Sequence, residues 1–558
     1  MGRSRRTFLG MIGGSLLGCA NIEQRPLESE LGADPRLDEA EKRLARARST
    51  ILAGVATRES WLAARAASRV IFSATSDPSR AIEIHDSALE LFFRSSGPAR
   101  ERFGTDWRSR LAERGIEFES RGESLPTHPD RSQRVDLASE HRVLPLRRRA
   151  TRPGLGVPAL ATRKRSADDP DRFEGDGWSL SPRSARPITL ILVDRDASDR
   201  APELFAVDPR NHDRIEAASG PIPVASDLSP GVAFALDPIR TPLRERIAAL
   251  DPDNLSWTSG LHGLEPHRPG AIPVVFVHGY GSDATCWLQT INELQCDDMI
   301  ARRYQFLVFV YPSINPFLHS AALLRKAIRE RFERLDPMGR DRALESLVVV
   351  GHSLGGLLAK TAVRSSGDAL WSLISPRPLE ELAVDPAGRE SIRESAFFDP
   401  DPRIRRMIYV CTPHHGTHLS SRLVGRLSGR LTPHPGPLAE AYRSLRESNR
   451  PEFFTESFAN DGPSISIDQF EVGEPVLEAL ASLAKPPSVR EHSIIARKRL
   501  GAIEFTSDGI VEYESAHLES AETERVVAHH HFAQDAPETI AELAAILHRH
   551  LSEFDAEA

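Results

Sequence analysis

The run Val350-Gly351-His352-Ser353-Leu354-Gly355-Gly356 constrains this chain more than any other stretch. It follows the apolar segment Ser346-Leu-Val-Val-Val350 and leads straight into Leu357-Leu358-Ala359-Lys360, so a buried strand must pass into a helix almost without a loop. Only a sharp turn can make that connection. Gly351 and Gly355 remove side chains that would collide inside it, and Ser353 is forced to the apex with its hydroxyl presented. The helix N-terminus behind the serine lends partial positive charge to any anion that develops there. Gly-x-Ser-x-Gly alone is a weak signal. Its position between a strand and a helix makes it specific.

The surrounding sequence repeats that alternation. Ile272–Val277, Phe306–Tyr311, Ser346–Val350, Met407–Val410, Ser493–Ala496 and Arg525–Ala528 read as short strands, the first four continuous apolar runs of the kind that fill a central parallel sheet. Helical runs lie between or after them, over about Thr285–Arg302, His319–Leu335, Leu354–Arg364 and Pro537–Leu551. Strand–helix alternation of this kind predicts an α/β fold with a doubly wound, mostly parallel sheet.

With these features in place, residues 266 to 551, about half the chain, resemble an α/β-hydrolase of the lipase and esterase type. A second motif carries the resemblance: Phe276-Val277-His278-Gly279-Tyr280-Gly281, directly after the first strong strand. The resemblance implies an oxyanion hole made by the backbone N–H groups of Tyr280 and Leu354, with His278 holding the loop. It also implies a catalytic acid and then a base, in that chain order after Ser353. Asp508, in Thr506-Ser507-Asp508-Gly509-Ile510-Val511, fits the acid better than Glu504 or Glu512. The base falls within Ala528-His529-His530-His531-Phe532, where His531 sits best relative to the closing helix and His529 and His530 remain alternatives. Thr412-Pro413-His414-His415-Gly416 resembles a stretch that shapes the site rim in lipase-like members. Two insertions, at about 366–403 and 418–490, are expected to form a cap over an apolar acyl pocket, or simply to pack their own small helices.

The first 265 residues differ in character. Arg5-Arg6 followed by Phe8-Leu9 resembles a twin-arginine export signal, and Leu16-Leu17-Gly18-Cys19 resembles a bacterial lipobox. That resemblance implies cleavage of residues 1–18, lipidation of Cys19, and an exported, membrane-anchored lipoprotein of the cell envelope. Residues 35–118 read as amphipathic helices, either a plain packing domain or an array similar to tetratricopeptide repeats. Residues 119–265 read as a small β-rich module, in which the stretch Thr151–Pro187 is expected to hold a mobile loop.

Composition narrows the function further. Acidic residues (79) outnumber Lys and Arg (71), which argues against a nucleic-acid surface. Four cysteines are too few for a disulfide scaffold. Cys286 and Cys296, expected on one helix, would stand about 15 Å apart, beyond disulfide reach. All three cysteines after Cys19 are read as packing residues. No metal and no cofactor is expected, because consecutive histidine side chains diverge. The expected enzyme is a serine hydrolase acting on a small-molecule or lipid ester. The alternatives are an amidase or thioesterase on lipid-linked substrates, and a silent envelope scaffold with a protein partner at its N-terminal helices.

Overall fold

A computed structural model describes residues 34–557, apart from 75–76, 99–100, 104, 122–132, 144–145, 165–182, 196–200, 237–258, 314, 419–436, 462–470 and 499–505. The export signal and Cys19 lie outside the described residues. Among the described residues no helix is long and apolar enough to cross a membrane.

The C-terminal sheet has seven strands in the order Gly260–Gly263, Tyr304–Val310, Ile272–Val277, Leu347–His352, Ile404–Val410, Arg490–Ala496 and Ala521–Val527. Every neighbouring pair is parallel except the first, where Gly260–Gly263 runs antiparallel to Tyr304–Val310. The three strands Ile272–Val277, Tyr304–Val310 and Leu347–His352 are buried at every residue, which is why each reads as an unbroken apolar run. One core lies on each face of the sheet. Trp287, Ile291, Leu543 and Leu547 pack on one side, and Phe317, Leu324, Leu357 and Leu358 on the other. Register then brings the carboxyl ends together. Val277 lies opposite Gly351, His352 opposite Val410, Val410 opposite Ile494, and Ala496 opposite Val527. In a sheet of this kind the crevice beyond those ends is where ligands bind.

Several local expectations change. The stretch Thr285–Arg302 is not one helix. It is a 3-10 turn at Ala284–Trp287 and two short helices, Leu288–Leu294 and Asp298–Arg303. Asp297 starts the last of these by accepting the N–H groups of Met299 and Ile300. Cys286 and Cys296 therefore do not share a helix, and both are free thiols. Within Thr151–Pro187 the described residues form strands at Thr151–Arg152, Val157–Lys164 and from Arg183 onward, and the loop expected in this stretch falls on 165–182, outside the described residues. Val157, Ala159 and Ala161 face the core there, a pattern masked by the neighbouring Arg, Pro and Gly. Gly156 holds φ 105°, and a Cβ on it would come within 2.6 Å of the Thr189 and Ile191 side chains.

In the N-terminal unit the helices Pro35–Ser49, Ala53–Ser73 and Ser79–Ser95 share one core with a five-stranded sheet. The strand order is Glu119–Arg121, Glu203–Val207, Arg183–Val193, Val157–Lys164 and Gln133–Leu137. Trp61, Phe92, Phe93 and Trp107 pack with Leu190, Leu192 and Leu204 in that core. The helix Ser229–Leu236 then buries Val232, Ala235 and Leu236 in the C-terminal core, and Asn292 accepts from Ser229 Oγ at 2.6 Å while donating to the Arg148 carbonyl at 2.8 Å.

Candidate active site

Ser353 stands between the strand Leu347–His352 and the helix Leu354–Lys360 with φ 53° and ψ −125°. This is the left-handed region, which costs a residue with a Cβ about 1 kcal/mol or more. The strain is held by neighbours. Ser353 N–H donates to the Val410 carbonyl at 2.9 Å, and its own carbonyl accepts from Gly356 N–H at 2.9 Å. The glycines are needed for close approach. A Cβ on Gly351 would lie 2.5 Å from Gly356 Cα, and one on Gly355 would lie 2.4 Å from the Val277 and His278 carbonyl oxygens.

His531 Nε2 is 2.8 Å from Ser353 Oγ, and His531 Nδ1 is 2.8 Å from Asp508 Oδ2. With a carboxylate facing Nδ1, the imidazole carries its proton there and leaves Nε2 to accept from the serine hydroxyl. Asp508 Oδ1 accepts the backbone N–H groups of Ile510 and Val511, both at 2.8 Å. Ser353 is 4% exposed and His531 3% exposed, so this chain of bonds lies just below the surface. His529 and His530 turn away. Their rings stand 4.1 Å apart, and His530 Nδ1 accepts from Phe532 N–H at 3.2 Å.

The loop after Val277 abuts the serine. A Cβ on Gly279 would lie 3.1 Å from Ser353 Cβ. His278 stabilises the loop: its Nδ1 donates to the Gly279 carbonyl at 3.0 Å, and its ring stacks on Tyr311 at 4.4 Å. Tyr311 Oη donates to the His278 carbonyl at 2.9 Å. Burial holds His278 neutral by lowering its pKa. Tyr280 follows with its ring against the same core as Leu477 and Leu480, and Leu354 opens the helix after Ser353.

Two neighbours were not assigned to the site by sequence. His352 is buried, and its Nε2 donates to the His531 carbonyl at 2.9 Å, so it braces the loop that carries His531. Burial, reinforced by the nearby His531, lowers its pKa to about 3. Cys411, read as a packing residue, ends the strand Ile404–Val410 at φ 51°. Its Sγ, an Asp508 oxygen and a His531 nitrogen all lie within 4.8 Å of one another. These are metal-ligand types, but the His531 and Asp508 atoms already bond each other, and burial pushes the Cys411 thiol well up, whereas a metal needs the thiolate. The set fits a hydrogen-bonded His–carboxylate pair with a protonated thiol beside it. The available signal was position: Cys411 follows a strand whose neighbours all end at the site.

The stretch Thr412–Thr417 is tied to the segment that follows Asp508. His414 N–H donates to the Ser515 carbonyl at 2.8 Å, and Thr417 Oγ1 donates to the Ile510 carbonyl. Beneath it, Lys360 Nζ faces His414 Nδ1 at 3.4 Å, and burial lowers the Lys360 pKa to about 7. The two insertions form one unit. Helices Pro386–Ala396 and Pro437–Glu447 bury Trp371, Ile392, Leu438, Tyr442, Phe454 and Phe458 in a core of their own. Leu477 and Leu480 of the helix Pro475–Ser482 instead join the core under the helix Leu354–Lys360.

Residues 274–543 match the alpha/beta hydrolase family. Among solved structures, the lipase BlEst2 of Bacillus licheniformis in its mature form is 16% identical over 50% of this chain and 93% of that chain, with a TM-score of 0.29. EstA from Clostridium botulinum is 13% identical over 50% and 87%, with a TM-score of 0.30. The Staphylococcus hyicus lipase is 13% identical over 52% and 96%, with a TM-score of 0.29. Likenesses this low add nothing to what the topology already shows. No curated protein sequence matches the chain. The family match over residues 274–543 and the seven-stranded sheet, with its strand–serine–helix turn, give the C-terminal half of this chain an α/β-hydrolase fold.

Proposed function

We propose that this domain hydrolyses carboxylic esters through an acyl-enzyme on Ser353. The observation that carries the reading is the unbroken chain Asp508–His531–Ser353, two contacts of 2.8 Å ending on a strained, presented hydroxyl. Ser353 Oγ attacks the ester carbonyl while its proton passes to His531 Nε2. A C–O bond forms, and the carbonyl π pair moves to oxygen. The N–H groups of Tyr280 and Leu354 receive that oxyanion, worth several kcal/mol in a dry site. Asp508 holds the imidazolium. The tetrahedral centre then expels the alcohol, which takes its proton from His531. Water repeats the sequence on the acyl-enzyme and releases the acid, so the net reaction is ester plus water to acid plus alcohol.

The two insertions, at about 366–403 and 418–490, are proposed to cover the acyl part of the substrate. We further propose that the protein is exported and tethered through a lipid on Cys19, as its twin-arginine and lipobox-like start suggests. A fluorophosphonate probe tests the chemistry: it is expected to label the folded protein and not Ser353→Ala. A folded wild type that takes no label and cleaves no nitrophenyl ester of any acyl length would sink the reading. Labelled palmitate incorporation, lost in Cys19→Ala, tests the tether.

A further inference from the structure

The turn joining the first two helices leaves apolar side chains in water. Ile51 is 99% exposed, Leu52 63% and Val55 46%, within a stretch of five consecutive exposed residues. A lone exposed leucine is ordinary, but three large aliphatic side chains gathered at one helical-hairpin tip are not. The tip is ringed by cations. Arg46 and Arg48 occupy the last turn of Pro35–Ser49, and Arg58 lies in the second turn of Ala53–Ser73. The Arg114 guanidinium carbon stands 3.9 Å from where a Gly54 Cβ would be. Arg46 is shared with Glu39 and Glu59. Arg48, Arg58 and Arg114 are exposed, with no ion pair shown among the described residues.

We propose that this tip docks on a membrane surface bearing anionic headgroups. Ile51, Leu52 and Val55 would enter the headgroup–acyl boundary while the arginines stay at the level of the phosphates. The charge argues for this occupant over a second copy of the chain, because two such tips would bring like-charged rings together. Chain length permits it too. Residues 20–33 separate Cys19 from the first helix and can span roughly 50 Å when extended, about twice the ~22 Å length of the Pro35–Ser49 helix. The proposal goes beyond the hydrolase reading and holds whether or not Cys19 carries a lipid.

The test reads the tip itself, so that binding through the N-terminal segment does not mask it. The full chain carrying Cys19→Ala, Cys286→Ala, Cys296→Ala and Ile51→Cys, with Cys411 buried, is labelled at position 51 with an environment-sensitive fluorophore, and a matching protein with Ser482→Cys in place of Ile51→Cys reports another exposed site. Vesicles of phosphatidylcholine with a quarter phosphatidylglycerol are added, then pure phosphatidylcholine. The expected result is a blue shift with at least a twofold rise in emission at position 51 on the anionic vesicles. It should be largely lost on neutral vesicles and in Arg48→Glu/Arg58→Glu, with position 482 unchanged. No response at position 51, an equal response to neutral vesicles, or a shift that follows protein concentration without lipid would each overturn the proposal.

Discussion

His85 and His531, both buried, each face a carboxylate through Nδ1, one in each half. His85 meets Asp86 Oδ1 at 2.7 Å in the N-terminal unit, and His531 meets Asp508 Oδ2 at 2.8 Å in the hydrolase domain. The difference is at the other ring nitrogen. His85 Nε2 faces the Leu192 carbonyl at 3.1 Å, a group with no proton to give, and Asp86 also accepts from Gly156 N–H at 2.8 Å. His531 Nε2 faces a hydroxyl on a strained turn. The first pair is a closed cross-link between a helix and a sheet. The second is open to chemistry because one partner can lose its proton and form a bond. A His–carboxylate pair is therefore not by itself a site, and the atom beyond it decides.

Substitutions can break this comparison, and the largest effect belongs to the serine. Ser353→Ala should lower kcat/KM on a nitrophenyl ester by about 10⁴-fold or more while leaving circular dichroism unchanged. His531→Ala should fall nearly as far, whereas His529→Ala and His530→Ala should stay within a few-fold of wild type. A collapse of activity in either neighbour with survival in His531→Ala would transfer the base. Asp508→Asn should cost about 10³- to 10⁴-fold, since an amide can hold the wrong imidazole tautomer.

At His85 the sign of the experiment reverses. His85→Ala should remove about 1–2 kcal/mol of stability, because it deletes one hydrogen bond to Asp86 and one to the Leu192 carbonyl, yet kcat/KM per folded molecule should not change. Denaturant melts and active-site titration on one sample separate the two. A fall in turnover per titrated site would show that the N-terminal unit feeds into the chemistry.

Acid should destabilise the hydrolase half through its buried neutral imidazoles. Burial lowers His352 and His550 to about 3 and His492 to about 4. Between those values and the unfolded value near 6.5, the unfolded chain binds more protons, so stability rises with pH across that window and falls on acidification. Each group accounts for about 2 kcal/mol by pH 5. The melting temperature should drop between pH 7 and 5, and less steeply in His352→Gln. Equal slopes would show that His352 does not contribute.

The smallest effect belongs to Cys411. Cys411→Ala should reduce kcat by only about two- to tenfold, because a thiol is a weak donor to Asp508. Cys411→Ser should recover part of that loss. Identical kinetics in both variants would reduce the thiol to a packing group.

How much of this was legible depended on how local the cause was. The turn at Ser353 was readable because two glycines and one backbone torsion act within five residues. The central strands were readable because full burial writes an unbroken apolar run. Gly260–Gly263 was missed as a strand because four residues of Gly-Leu-His-Gly carry no pattern, and only the edge of Tyr304–Val310 gives them a ladder. The break in Thr285–Arg302 was missed because the periodicity continues across it, while Asp297 restarts the hydrogen bonding.

By itself, then, the sequence determined a strand–serine–helix turn, a parallel α/β sheet around it, and an acid and a histidine in the right chain order. Tertiary structure decided which histidine meets the serine, that His352 braces it, and that Cys411 stands beside Asp508. Ser353 and His531 are 178 residues apart, and no local rule spans that distance. Their meeting is set by the register of Leu347–His352, Ile404–Val410, Arg490–Ala496 and Ala521–Val527. In adjacent parallel strands a one-residue slip turns every side chain to the opposite face.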